Sequence, residues 1–138
     1  MKWTSFPGIL IRYFVQVDIH ADYDLVQLIG EGWYSRVYLA EHRTTRDEVV
    51  LKAINSNLVT ADEFCREYQS SIGLWPHKNI LRVYDAVFQC DGYFMFAMEY
   101  APLGDLTSNI SELGLGELHT KRVCCQVGSA LQWIHSTY

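Results

Sequence analysis

Between Tyr23 and Glu99 the chain falls into short stretches with a two-residue period, interrupted once by a stretch with a helical period. Tyr23 to Ile29 and Arg36 to Glu41 read as strands on either side of a turn with two spaced glycines, Gly30 and Gly32. A polar turn, Arg43-Thr44-Thr45-Arg46-Asp47, leads into Glu48 to Ile54, a strand rich in β-branched residues. Thr60-Ala61-Asp62-Glu63 is a capping-box signature. It opens a helix whose Phe64, Tyr68 and Ile72 recur every four residues on one face, and Gly73 with Pro76 ends it. Ile80 to Gln89 and Tyr93 to Glu99 are two further strands, joined through Cys90-Asp91-Gly92, which has hairpin-turn chemistry. Pro102 and Gly104 mark a short linker. Glu117 to His135 is a second long helix with an apolar stripe of Val123, Val127, Ala130, Leu131 and Ile134.

The predicted architecture is α+β: five antiparallel strands with one inserted helix, then a linker and the start of something else. Tyr13 to His20 also alternates, with Tyr13, Val15, Val17 and Ile19 on one side. Two readings of residues 1–22 stand side by side, an extra strand and a leader outside the domain. Pro7 and Arg12 interrupt the apolar run at the start, and Gly8 to Val17 is too short to span a bilayer.

Composition narrows the function classes. A length of 138 residues with 49% hydrophobic and 20% charged residues is enough for one domain with a core. Sixteen acidic against eleven basic residues give a net charge of −5, which argues against a nucleic-acid binder. Cys65, Cys90, Cys124 and Cys125 show no C-x-x-C spacing, so they read as reduced thiols in a cytoplasmic or nuclear protein. Cys124 and Cys125 sit about 100° apart on a helix. With His119 they make a poor metal site, so no metal ligand is assigned and both are expected to be buried.

The chemistry lies in Gly30-Glu31-Gly32-Trp33-Tyr34-Ser35-Arg36-Val37, followed by Lys52 in Val49-Val50-Leu51-Lys52. Glycines let backbone N–H groups approach phosphate oxygens. A lysine among apolar strand residues is costly unless its charge is paired, and Glu67 on the capped helix is its natural partner. In this order the motifs resemble the amino-terminal lobe of a eukaryotic protein kinase, over about Tyr23 to Tyr138. Met98-Glu99-Tyr100-Ala101-Pro102-Leu103-Gly104-Asp105-Leu106 is most similar to the Src-homology-three-binding serine/threonine kinases.

The resemblance implies a lobe over 23–98, a hinge and linker over 99–105, and the start of a second lobe over 106–138. It implies ATP as the ligand, with Gly30, Glu31, Gly32 and Ser35 (replacing the usual third glycine) in the phosphate loop. Trp33 and Tyr34 form the loop tip. Val37 and Val50 lie against the adenine, where Val50 replaces the usual alanine. Lys52 and Glu67 are the supporting ion pair. Met98 controls the back pocket, while Glu99 and Ala101 read the adenine edge through their backbone. Asp105 accepts from the ribose hydroxyls, with a simple helix cap as the alternative. His135 is read as structural.

The sequence contains neither H-R-D nor D-F-G. Mg²⁺ and a protein substrate are therefore implied only for a full-length kinase, and this chain alone is expected not to transfer phosphate. A non-catalytic kinase-like binding module is the alternative. The stripe of Val127, Leu131 and Ile134 is expected to be exposed, giving a surface for non-specific association. No membrane partner is expected. The three prolines form no P-x-x-P motif, so binding to Src-homology-three domains is not carried over.

Overall fold

The computed structural model describes residues 15–16 and 18–137, with backbone pairing alone for the first two. In chain order the elements are β1 Val15–Gln16, α1 Ile19–Asp22, β2 Tyr23–Glu31, β3 Ser35–His42, β4 Glu48–Asn55 and α2 Ala61–Ile72. They continue with β5 Val83–Cys90, β6 Tyr93–Met98, α3 Leu106–Asn109 and α4 Glu117–Thr137. The sheet runs β1-β5-β6-β4-β3-β2. The five expected strands form its antiparallel body, and β1 adds a two-residue parallel edge against Phe88 and Gln89.

The start of the described chain departs from the expected alternation. Ile19 and His20 are helical, because the Asp18 carboxylate accepts from the His20 N–H and caps a single turn. Ile19 is buried all the same. Tyr13 and Val17 lie outside the described residues. β5 begins at Val83 rather than Ile80, because Ile80 N–H closes a turn onto the His77 carbonyl. The Asp91-Gly92 hairpin turn forms as expected, with φ of 48° and 79°.

Core residues lie on both faces of β4 to β6, while β2 is largely exposed. One face carries Ala40, Leu51, Ala53, Met95 and Ala97, with Ile19 and Phe88. The other carries Ile54, Val83, Phe94 and Phe96 beneath α2, which contributes Phe64, Cys65 and Tyr68. The α2 cap is complete: Glu63 N–H donates to Thr60 Oγ1, and Thr60 N–H donates to Glu63 Oε2. These bonds hold the Glu63 carboxyl below its ordinary value, the backbone N–H of Thr60 being the main cause.

α4 joins this body through the segment between α2 and β5. Trp133 Nε1 donates to the Leu74 carbonyl at 3.1 Å, and Asn79 Nδ2 donates to the Gln126 carbonyl at 3.3 Å. The His77 and Trp133 rings stack at 5.9 Å. Val127 and Leu131 are exposed as expected, but Ile134 is half-buried, on the side of α4 that Trp133 draws inward. Cys124 and Cys125 are exposed, which corrects the expectation that they are buried. Among the described residues no helix is long and apolar enough to cross a membrane.

Candidate nucleotide site

Strand register sets the geometry of the site. Directly opposed residues of antiparallel strands share a face, and neighbours along a strand alternate. The pairings Gly30–Val37, Val37–Lys52 and Lys52–Phe96 draw one row across the sheet. Leu39–Val50 and Val50–Met98 draw the next row on the same face. This face also carries Ile54, Phe94 and Phe96, so it is the side that α2 covers. Gly30, Val37, Val50, Lys52 and Met98, separated by up to 68 positions in the chain, thus form one surface.

Glu67 reaches that surface from α2 and accepts a hydrogen bond from Lys52 Nζ. The two side chains keep 27% and 33% of their surface exposed. The pair therefore sits at the edge of the apolar layer, where the ammonium is partnered yet still reachable. A charge-assisted hydrogen bond of this kind is stronger than a neutral one and fixes the direction of the ammonium.

The glycine-rich turn closes with Gly32 N–H donating to the Ser35 carbonyl at 2.8 Å. Trp33 at its tip is 91% exposed. Neither Gly30 nor Gly32 has a positive φ, and a Cβ on either would meet its neighbours at ordinary contact distances of 3.4 to 3.8 Å. Neither backbone conformation nor internal packing demands glycine here. Gly30 falls at a register irregularity between Leu28 and Gly30, and glycine also lets an outside group approach the backbone closely.

Three predicted residues are engaged elsewhere. Glu31 lies opposite Arg36 and makes an ion pair with it at 3.0 Å, on the face away from Lys52. With Tyr93 and Asn55 this corner borders a shallow depression of about 100 Å³. That is far below the ~300–1,000 Å³ of small-molecule sites. The Ala101 carbonyl accepts from Gly104 N–H at 3.2 Å, closing the turn after the hinge segment. Asp105 caps α3: its Oδ1 accepts from the Ser108 hydroxyl and from Ser108 N–H at 2.7 Å. Those bonds hold the Asp105 carboxyl below its ordinary range. The helix-cap alternative is thus realised, leaving only Oδ2 for any ligand.

Glu99 is tied on two sides. Its N–H donates to the Arg82 carbonyl, and its side chain accepts from the Arg82 N–H. This fixes the segment after β6 against the start of β5. Sequence reasoning missed both Arg82 and His77, since their partners lie far away in the chain. Among the described residues no group of three His, Cys, Asp or Glu side chains could hold a metal ion. The described residues do not fit a Mg²⁺ site.

The protein kinase domain model matches residues 23–138. The chain belongs to the protein kinase family. It is 41% identical over 114 residues to the serine/threonine-protein kinase meng-po of Drosophila melanogaster, covering 83% of this chain and 25% of that protein. It is 34% identical over 130 residues to the serine/threonine-protein kinase SBK1 of Mus musculus, covering 94% of this chain and 31% of that one. The fold resembles the crystal structure of Rad53 1-466 in complex with AMP-PNP, with a TM-score of 0.72 at 24% identity. That match covers 86% of this chain and 31% of the Rad53 chain in that structure. The five-stranded sheet with α2 is the kinase amino-terminal lobe.

Proposed function

We propose that these residues form the ATP-binding lobe of a serine/threonine protein kinase, which transfers the γ-phosphate of ATP to protein hydroxyls. On this reading 23–98 is the lobe, 99–105 the hinge and linker, and 106–138 the start of the second lobe. The observation that carries it is the Lys52–Glu67 pair on the same sheet face as Gly30, Val37, Val50 and Met98.

In this arrangement the Lys52 ammonium neutralises α- and β-phosphate charge while Glu67 holds it in place. Backbone N–H groups of the glycine-rich turn approach the phosphates, Val37 and Val50 exclude water from the adenine, and the Glu99–Ala101 backbone reads its edge. Asp105 reaches the ribose through Oδ2. The 138 residues contain no H-R-D or D-F-G, so the groups that orient the nucleophile and hold Mg²⁺ are not among them. The reading thus divides into nucleotide binding, which these residues can perform, and phosphoryl transfer, which needs further residues. A cytoplasmic or nuclear location goes with this reading, on the strength of the unpaired cysteines.

A second reading, a kinase-like binding module without catalysis, is favoured by the exposed Val127 and Leu131 on α4. The first is tested by calorimetric titration of the chain with ATP. Lys52→Ala is expected to weaken binding at least about tenfold, since hydrogen bonds to charged groups contribute ~1.5–3 kcal/mol. Equal affinity in both proteins, or none in either, would leave only the second.

A further inference from the structure

We propose that Tyr68 is a positioning residue for the Lys52–Glu67 pair: its hydroxyl, donated to the bulged segment of β5, sets the rotation of α2 that brings Glu67 to Lys52. The inference rests on the nucleotide-binding reading of that pair.

Tyr68 follows Glu67 directly, so one residue faces the sheet while the other points along it, about 100° away around the helix. The Tyr68 ring is 3% exposed and packs against Phe64 and Phe96, with ring centroids at 6.4 and 5.8 Å. Phe96 is the strand partner of Lys52. Apolar packing of this kind is non-directional and tolerates small rotations of a helix. Turning α2 by ~20° moves a side-chain tip ~5 Å from its axis by roughly 2 Å, enough to break a hydrogen bond.

The directional contact is at the Tyr68 hydroxyl, which donates to Asp85 Oδ1 at 3.1 Å and lies 3.4 Å from the Tyr84 carbonyl. β5 is built to offer both acceptors. Its ladder with β6 passes from Val83–Met98 to Val87–Phe96, so Tyr84, Asp85 and Ala86 stand out of register. Bulges release backbone groups and re-aim side chains. Val83 and Val87 belong to the apolar layer under α2, and Asp85 interrupts that row with a carboxylate. Asp85 remains exposed to solvent, and its carboxylate accepts from the Tyr68 hydroxyl. Burial, and secondarily Asp85, pushes the phenol well above its ordinary value, so it remains protonated and a donor.

The test reads the Lys52 side-chain ammonium by NMR in the 138-residue chain without nucleotide, comparing Tyr68→Phe, Asp85→Ala, Asp85→Asn and Glu67→Gln. Tyr68→Phe and Asp85→Ala should move the Lys52 signals toward those of Glu67→Gln, whereas Asp85→Asn, which keeps an acceptor, should retain the wild-type signals. ATP affinity should fall about threefold to tenfold in Tyr68→Phe, and not further when Glu67→Gln is already present. Lys52 signals unchanged in Asp85→Ala overturn the proposal, whatever happens to melting temperature. Because Asp85 is exposed, that variant also decides the matter if Tyr68→Phe fails to fold. Should wild type bind no ATP, the nucleotide reading fails while the NMR comparison still judges the latch.

Discussion

Among the described residues the buried core runs from Ile19 to Ala97, whereas the 21-residue α4 buries no side chain. The sheet and α2 hold together by apolar layers on both faces of β4 to β6. α4 is attached chiefly by polar contacts to residues 74–79 and by one stacked ring pair. The Lys52–Glu67 pair belongs wholly to the first region. Nucleotide recognition should therefore survive changes that loosen α4, and damage to α2 should reach the site at once.

The largest effect is expected from Phe64→Ala. Phe64 is fully buried between α2 and the sheet, and truncating such a residue costs ~3–5 kcal/mol. Denaturant unfolding should show a loss of that order, while Val127→Ala on exposed α4 should leave the midpoint unchanged. Next comes Glu67→Ala, expected to reduce ATP affinity about tenfold or more with little change in stability, because the pair is part-exposed. A smaller loss, ~1 kcal/mol, is expected for Thr60→Ala, which removes the hydroxyl that caps α2. Trp133→Phe removes one donor to the Leu74 carbonyl. It should speed amide exchange in α4 by about threefold to tenfold without affecting β3, β4 or β6.

Acid probes the caps of α2 and α3. Glu63 on α2 and Asp105 on α3 have carboxyls held below their ordinary values. Their folded values lie under the unfolded ones, so the unfolded chain binds the extra proton as pH falls. The contribution is complete above the ordinary values of 4.5 and 3.8 and is lost as pH drops through the depressed ones. Glu63→Gln should lower stability above about pH 4.5 and flatten the acid limb below it, so that variant and wild type converge at low pH.

The two regions also differed in how far they could be read from sequence. In the sheet, two-residue periods, the Thr60 capping box and the Asp91-Gly92 turn are local signals, and the elements formed where their residues specify them except that β5 starts at Val83 rather than Ile80. Lys52 and Glu67 were legible because a charge on an apolar strand needs a partner. The bulge at Tyr84–Ala86 was not, since alternation alone cannot reveal four residues facing two. The Tyr68 latch went unseen with it. In α4 the stripe was correct for Val127 and Leu131 and wrong for Ile134. The side that docks is set by Trp133 and His77, which lie 56 positions apart. Asp105 caps α3 through Ser108, a local contact that leaves Oδ2 for the proposed ribose role.

The most direct test of the central claim is a backbone NMR titration of the chain with ATP. The account predicts that shift changes concentrate at Gly30, Gly32, Val37, Lys52 and residues 98–101, on one face of the sheet. Changes confined instead to Arg36, Asn55 and Tyr93 on the opposite face, or no changes at all, would contradict it.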